Sequence, residues 1–123
     1  MGDQEHLVLR TVWQLRRCTV RAVFEQVGEP QGLAYTTIAT VLDRLYDKGF
    51  VSRVKDGKAF LYKPAKKQAS VEKARAKSLV GRFLGAEPIP AVANLVEAVE
   101  AVDPALLDRL AEEIQRCRGR RGS

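Results

Sequence analysis

Thirty residues near the middle of the chain constrain its fold more than any other stretch. The run YTTIATVLDRLYDKGFVSRVKDGKAFLYKP, residues 35–64, starts with apolar residues at helical spacing and ends with alternating residues around Asp56-Gly57. Helical spacing predicts an amphipathic helix, and an Asp-Gly pair between alternating runs predicts a tight hairpin. We therefore predict a helix from Tyr35 to Lys48, ended by Gly49, and then two strands, Phe50 to Lys55 and Lys58 to Lys63.

Two shorter helical patterns precede this run. Residues 5–15 place Leu9, Val12 and Trp13 on one face. A second pattern follows Thr19, a residue type that caps helix starts, and stops at the loop breakers Gly28, Pro30 and Gly32. Three helices followed by a hairpin are the winged helix-turn-helix arrangement. The sequence thus predicts a mainly α fold with a small β-hairpin wing, and a winged-helix domain over residues 1–64.

Residues 65–123 predict a second, all-helical region. Helical patterns cover 71–84 and 90–102, and a third follows the Asp103-Pro104 cap, whereas the final RGRRGS is expected to fray. So small a unit buries its wide apolar stripes poorly, and pairing with a second copy is the simplest remedy. The predicted dimerisation residues are Leu79, Phe83, Leu106, Leu110 and Ile114.

The charge of the chain is positive and unevenly distributed. Its 123 residues carry a formal net charge of +6, with a pI of about 9.6. Residues 65–85 hold six basic residues against one acidic residue, residues 86–115 hold one against seven, and the last eight hold four arginines. A basic balance favours polyanion partners, and blocks of opposite sign suggest that different segments meet different partners.

The outer face of the third predicted helix carries residue types that can bind DNA. Thr37, Thr40 and Arg44 lie at i, i+3 and i+7, opposite the apolar stripe, with Thr36 beside them. Threonine offers a hydroxyl to phosphates or base edges and a methyl to thymine, and arginine forks onto guanine. A solvated helix face with no partner is the alternative, and the basic hairpin that follows weighs against it.

The hairpin is the second candidate DNA contact. Arg53, Lys55 and Lys58 crowd its strands and tip, with Lys63 near its end and Asp56 as its one acid. A basic wing can rest on the phosphate backbone and fix register without reading sequence. Lysines also protect edge strands, and the two roles are compatible. The basic residues at 66–77 either extend this contact or stay solvated.

Other classes of function find little support in the sequence. No catalytic constellation or phosphate-binding loop is recognisable, and the isolated Cys18 and Cys117 form no zinc motif, so we predict neither an enzyme nor a cofactor or metal. His6 is expected to be an ordinary helix-surface residue. Without a secretory signal or membrane-spanning run, a cytoplasmic location is expected. A winged-helix module that binds another protein, and not DNA, remains the alternative.

The central run resembles the signature of the penicillinase repressor family (the BlaI/MecI type) of winged helix-turn-helix transcriptional repressors. That signature has a Tyr-Thr-Thr-rich helix, Leu-x-Arg-Leu, Lys-Gly-aromatic and a basic hairpin ending in Tyr-x-Pro. The matching residues are Tyr35-Thr36-Thr37, Leu42-Asp43-Arg44-Leu45, Lys48-Gly49-Phe50 and Tyr62-Lys63-Pro64, with Glu5, Leu9 and Trp13 upstream. The resemblance is detailed over residues 5–64 and rests on length and helix order over 65–118.

This resemblance implies a homodimeric repressor that binds double-stranded DNA at inverted-repeat (palindromic) operators, often with TACA/TGTA-type half-sites. It implies that the C-terminal helices form the dimer. In many members a signalling receptor-protease leads to cleavage there, typically at Asn-Phe; Asn94 and Leu95 stand at the matching place, with Leu replacing Phe. A copper-responsive branch has Cys-x-Cys near its C-terminus, where this chain has only Cys117, so copper sensing is not expected.

Overall fold

The computed structural model describes residues 1–122 and divides into two compact units. The first is Met1–Ala76 and the second begins at Lys77. The first unit extends twelve residues beyond the winged-helix boundary predicted at residue 64 because the start of the next helix packs on the same core. The functional division at residue 64 stays a prediction.

The first unit has the predicted order of three helices and a hairpin, which confirms the predicted fold class. The hairpin is antiparallel, with a register that runs from Val51 opposite Pro64 to Asp56 opposite Ala59. The elements are α1 (Asp3–Leu15), α2 (Val20–Val23, continued as a π-turn over Phe24–Gly28), α3 (Tyr35–Asp47), β1 (Val51–Asp56) and β2 (Ala59–Pro64).

The core of this unit is built on the apolar stripe of α3. Ile38, Leu42 and Leu45 are fully buried and face α1. Their spacing puts them on one side of the helix, so burying them fixes the opposite side toward solvent. The same core contains the α1 residues Val8, Leu9 and Val12, together with Val23, Val27, Val41, Val51 and Tyr62.

The second helix depends on a close approach at Gly28. A Cβ added there would lie 2.7 Å from the Phe24 ring and 3.2 Å from Ile38, so only glycine fits. Gly28 is the last residue of the π-helical segment and residues 29–32 form a turn, so the predicted break is confirmed, and Gly28 is in addition a buried packing residue. The predicted cap is confirmed, since the Thr19 hydroxyl accepts a hydrogen bond from the Ala22 N–H at 3.1 Å.

The hairpin is tied to the helices at its base. The Cys18 N–H donates to the Tyr62 carbonyl at 3.0 Å, and the Tyr62 N–H donates to the Cys18 carbonyl at 2.7 Å. These two hydrogen bonds pair Cys18 with Tyr62 as a single antiparallel bridge beside the hairpin. A two-stranded hairpin is marginal in water, so this attachment and the burial of Tyr62 hold the wing in place.

The first turns of α4 (Gln68–Leu84) belong to the first unit and pack on its core. Val71 joins the core, and the Trp13 indole N–H donates to the Lys66 carbonyl at 3.2 Å. His6 Nε2 lies 2.5 Å from Glu72 Oε1, and only 12% of the His6 side chain is exposed. His6 is thus a packed contact between α1 and α4, and the prediction of an ordinary surface residue was wrong because it ignored α4.

The second unit contains the last turns of α4 together with α5 (Pro88–Val102) and α6 (Leu106–Gly122). None of its described residues is buried. The predicted cap is confirmed, since Asp103 Oδ1 accepts the Ala105 N–H at 3.0 Å. The predicted fraying is wrong over the described residues, because α6 runs to Gly122. Ion pairs one turn apart support it, with Glu113 Oε1 2.9 Å from Arg109 and 2.6 Å from Arg116.

An ion pair between α1 and the end of α3 makes stability pH-dependent. Lys48 Nζ lies 2.8 Å from Glu5 Oε2, and its hydrogen bond lowers the pKa of Glu5. A lowered folded-state pKa contributes stability above pH of about 4.5 that is lost as pH falls through the folded value. We predict that Glu5→Gln lowers the free energy of unfolding by about 1 kcal/mol at pH 7, and by progressively less toward pH 3, in urea titrations.

Glu25→Gln is the matched control for this prediction. Glu25 lies 4.0 Å from Arg21 on an exposed surface, so its loss is expected to cost about 0.3 kcal/mol or less. Equal losses for the two variants, or a Glu5→Gln cost that does not shrink in acid, would contradict the assignment.

Candidate nucleic-acid interface

The outer face of α3 forms one wall of an open depression of about 270 Å³. Thr36, Thr40 and Arg44 are exposed there, and Thr37 is half-buried. The buried stripe on the other side of α3 fixes these side chains outward. The structure thus brings the four predicted helix residues together on one surface, lined by Gln4, Thr36, Thr37, Thr40, Val41 and Arg44.

One hydroxyl group on this surface already donates a hydrogen bond within α3. Thr40 Oγ1 donates to the Thr36 carbonyl at 2.9 Å, which leaves its oxygen lone pairs as acceptors. No side chain caps the amino end of α3 at Ala34. An uncapped amino end carries partial positive charge, which suits a phosphate nearby.

Gln4 is a member of this surface that the sequence did not suggest. It lies in the first turn of α1, about thirty residues before Thr36, and reaches the depression only because α1 packs on α3. Glutamine can pair with an adenine edge or a phosphate. No local pattern distinguishes it from other polar residues of α1, so only the tertiary packing reveals it.

The wing presents its lysines at the tip. Lys55 and Lys58 are exposed on either side of the Asp56-Gly57 turn, where Gly57 has a φ of +66°. Lys55 Nζ lies 6.0 Å from the Phe60 ring centroid, and the residue is exposed. Lys63 is also exposed, close to the base of the hairpin. Lys55 and Lys58 thus lie on the hairpin, whereas the predicted base contacts lie on α3 of the same unit.

Arg53 is placed differently from the other predicted DNA-binding residues. Its guanidinium lies between the rings of Tyr46 and Phe60, and its Nη1 donates to Asp43 Oδ1 at 2.8 Å. This hydrogen bond, followed by one with Tyr62, raises the pKa of Arg53. Only 21% of the side chain is exposed. Its contact with DNA stays a prediction, and its contacts within the protein were not foreseen.

The predicted dimerisation residues lie on the second unit and are about half exposed. Leu79, Phe83, Leu106 and Ile114 are between 42% and 50% exposed, and Leu110 is half-buried. Exposed apolar side chains in such number mark surfaces that bind other proteins. Ile89 and Val102, absent from the prediction, are 82% and 80% exposed. The role of all these residues in a dimer stays a prediction.

The candidate cleavage site lies inside a helix. Asn94 and Leu95 are exposed in the middle of α5. Proteases bind their substrates in extended form, so cleavage at this bond would require local unwinding of α5. A proteolytic role for the two residues stays a prediction.

The cysteines and acidic residues do not form a metal-binding cluster within residues 1–122. No three His, Cys, Asp or Glu side chains come together as a metal-ligand set in that range. Burial raises the pKa of Cys18 to about 11, which keeps its thiol protonated, whereas Cys117 is exposed on α6. Over the same residues, no helix has both the length and the apolar composition needed to cross a bilayer.

Comparison with known proteins decides the family. The model of the penicillinase repressor family matches residues 1–116. The chain belongs to this family. It is 40% identical over 65 residues to the transcriptional regulator BlaI of Mycobacterium tuberculosis H37Rv, covering 52% of this chain and 47% of that protein. It thus spans about half the length of this curated relative.

Other relatives cover more of the chain at lower identity. The methicillin resistance regulatory protein MecI of Staphylococcus aureus N315 is 26% identical over 97 residues, covering 79% of each chain. The solution structure of the DNA-binding domain of the repressor BlaI superposes with a TM-score of 0.52 at 26% identity, covering 56% of this chain and 84% of that one. A mutant MarR from Escherichia coli shares the fold, with a TM-score of 0.52, 18% identity and coverage of 94% and 78%.

Proposed function

We propose that this protein is a transcriptional repressor that binds inverted-repeat operator DNA as a homodimer. The observation that carries the proposal is the outward Thr/Arg face of a core-anchored helix beside a lysine-tipped wing, in a member of the penicillinase repressor family. Bound at a promoter, such a protein would block transcription of the gene it covers.

The helix face supplies base contacts. With α3 in the major groove, the Arg44 guanidinium donates two hydrogen bonds to guanine O6 and N7, and the methyl of Thr40 packs on thymine. Thr36 lies on the first turn of α3 and approaches the phosphates, where the positive end of the helix adds to the attraction. Gln4 is placed to add a contact from α1.

The wing supplies affinity with little sequence discrimination. Lys55 and Lys58, exposed at its tip, bind phosphates and release condensed counterions. Binding is therefore expected to weaken by orders of magnitude between about 50 and 200 mM salt. A winged-helix module that binds a protein partner would lack that dependence, so salt sensitivity separates the two functions.

The second unit supports the homodimer. Its described residues include no buried core, and its helices expose leucine, isoleucine, valine and phenylalanine side chains. A second copy would cover these faces and give the protein the two-fold symmetry that an inverted-repeat operator matches. Two linked reading helices also raise the effective concentration of the second at its half-site.

Selection of bound duplexes from a random pool at about 150 mM salt tests the function directly. A two-fold symmetric consensus is expected, because two identical reading helices would engage two identical half-sites. An asymmetric consensus would contradict the dimer, and the absence of any consensus would contradict sequence-specific binding.

The Arg44 and Lys58 substitutions separate base reading from phosphate binding. We predict that Arg44→Ala weakens binding to the selected duplex about tenfold to a hundredfold and relaxes the preference at one base pair of each half-site. Lys58→Ala is expected to weaken all duplexes alike and to flatten the slope of log K against log salt by about 0.9 per bound phosphate. Fluorescence anisotropy titrations over a salt series measure both effects, and reversed behaviour would refute the assigned roles.

A charge on the exposed α6 surface tests the dimer. We predict that Ile114→Asp gives monomers in sedimentation equilibrium and loses at least about tenfold in affinity for the two-fold duplex, since burying an unpaired carboxylate is costly. Leu110→Asp is expected to act likewise, although Leu110 is half-buried within the protomer itself.

Gln115→Asp adds the same charge at the next position of α6, where the side chain is also exposed. It is the matched control for Ile114→Asp and is expected to leave the sedimentation unchanged. A dimer that survives Ile114→Asp would place the interface elsewhere.

A further inference from the structure

The charged residue in the middle of the wing is held between two aromatic rings. The Arg53 guanidinium carbon lies 3.9 Å from the Tyr46 ring centroid and 4.3 Å from that of Phe60. Its Nη1 also lies 2.8 Å from Asp43 Oδ1. Arginine is suited to this role because its planar group stacks on rings while its edge donates hydrogen bonds.

The partners of Arg53 belong to both elements that face DNA in the proposed function. Asp43 and Tyr46 lie one turn apart on α3, the reading helix. Phe60 lies on β2, two residues before Tyr62, the cross-strand neighbour of Arg53. One side chain therefore joins the middle of the wing to the outer surface of the reading helix.

The ion pair with Arg53 also offsets the negative charge of Asp43 on the reading helix. Asp43 precedes Arg44, and 58% of the Asp43 side chain is exposed. A carboxylate there would repel phosphates, and the bound guanidinium of Arg53 offsets its charge. The charge of Arg53 is consequently engaged within the protein and not directed to solvent.

We propose that Arg53 is a positioning residue that sets the orientation of the wing relative to the reading helix, and that it makes no phosphate contact of its own. The proposal rests on the DNA-binding function proposed above and assigns within it a role that charge alone would not suggest. Arg53 thus orders the wing before DNA binds, so that the Lys55 and Lys58 ammonium groups contact the DNA phosphates without an added cost of ordering the wing.

Two kinds of substitution distinguish positioning from phosphate binding. Arg53→Lys keeps the positive charge but loses the planar group that stacks on the rings and its forked hydrogen bonds. Arg53→Gln loses the positive charge as well as the guanidinium. Phe60→Leu removes one ring of the stack without changing any charge, and provides a second variant should Arg53→Gln fold poorly. Lys58→Gln changes charge by the same amount as Arg53→Gln but lies at the wing tip, and it serves as the phosphate-contact reference.

The first measurement is affinity for the selected two-fold duplex between about 50 and 200 mM salt. Arg53→Lys and Arg53→Gln are both expected to bind about tenfold more weakly, and Phe60→Leu also more weakly, with slopes of log K against log salt unchanged within about 0.3. Two results would show a direct phosphate contact and overturn the proposal. One is that Arg53→Lys binds as tightly as the unsubstituted protein. The other is that the slope flattens by about 0.9 per bound phosphate in Arg53→Gln but not in Arg53→Lys.

The second measurement needs no DNA. Amide hydrogen exchange over residues 53–62 in the free protein is expected to be at least about fivefold faster in Arg53→Gln, Arg53→Lys and Phe60→Leu than in Lys58→Gln. Equal exchange in all variants would overturn the proposal, because the wing would then be held without Arg53. Should the random pool yield no consensus, the proposed function fails, while this comparison still decides whether Arg53 positions the wing.

Discussion

The burial of one helix face against another controls the rest of the first unit. Ile38, Leu42 and Leu45 of α3 lie in the core with the apolar residues of α1. Because side chains repeat every 3.6 residues, enclosing these three leaves Thr40 and Arg44 on the outside. The same packing brings the first turn of α1 alongside α3, where Gln4 lines the depression with Arg44 and Glu5 pairs with Lys48 at the end of the helix from which the hairpin follows.

The charges of the first unit fall into two groups with different uses. Lys48, Arg53 and Arg75 pair with acidic side chains at distances of 2.8 to 3.2 Å and hold secondary-structure elements together. Arg44 and Lys58 lie exposed on the reading helix and the wing tip. The net charge of +6 therefore does not equal the charge presented to a polyanion, and a count of phosphate contacts from composition alone would be too high.

Local patterns in the sequence were sufficient for the order of the elements and for the family. The helical spacing in α3, the Asp56-Gly57 turn and the cap at Thr19 each depend on residues within one or two turns, and the structure contains all three. The roles of residues whose partners are distant in sequence could not be predicted. His6 contacts Glu72, and Gln4 reaches the surface of α3, only after the chain has folded.

The roles of Arg53 and Gly28 could not be predicted from the sequence either, although their partners lie closer to them in the chain. A basic residue in a basic hairpin is indistinguishable from its neighbours until Tyr46 and Phe60 are seen on either side of it. A glycine followed by Glu29-Pro30 has the composition of a loop, and only the proximity of Phe24 and Ile38 explains why no side chain is tolerated. Composition and spacing thus predict which faces are polar, whereas contacts decide what each polar group does.

The unequal environments of the two thiols provide a handle for spectroscopy. Burial raises the pKa of Cys18 to about 11, so its thiol stays protonated at pH 7, and the residue is buried. Cys117 lies exposed on α6. A maleimide dye or spin label would therefore react almost solely at Cys117, so that the unmodified natural sequence carries one addressable position, remote in sequence from every proposed DNA contact.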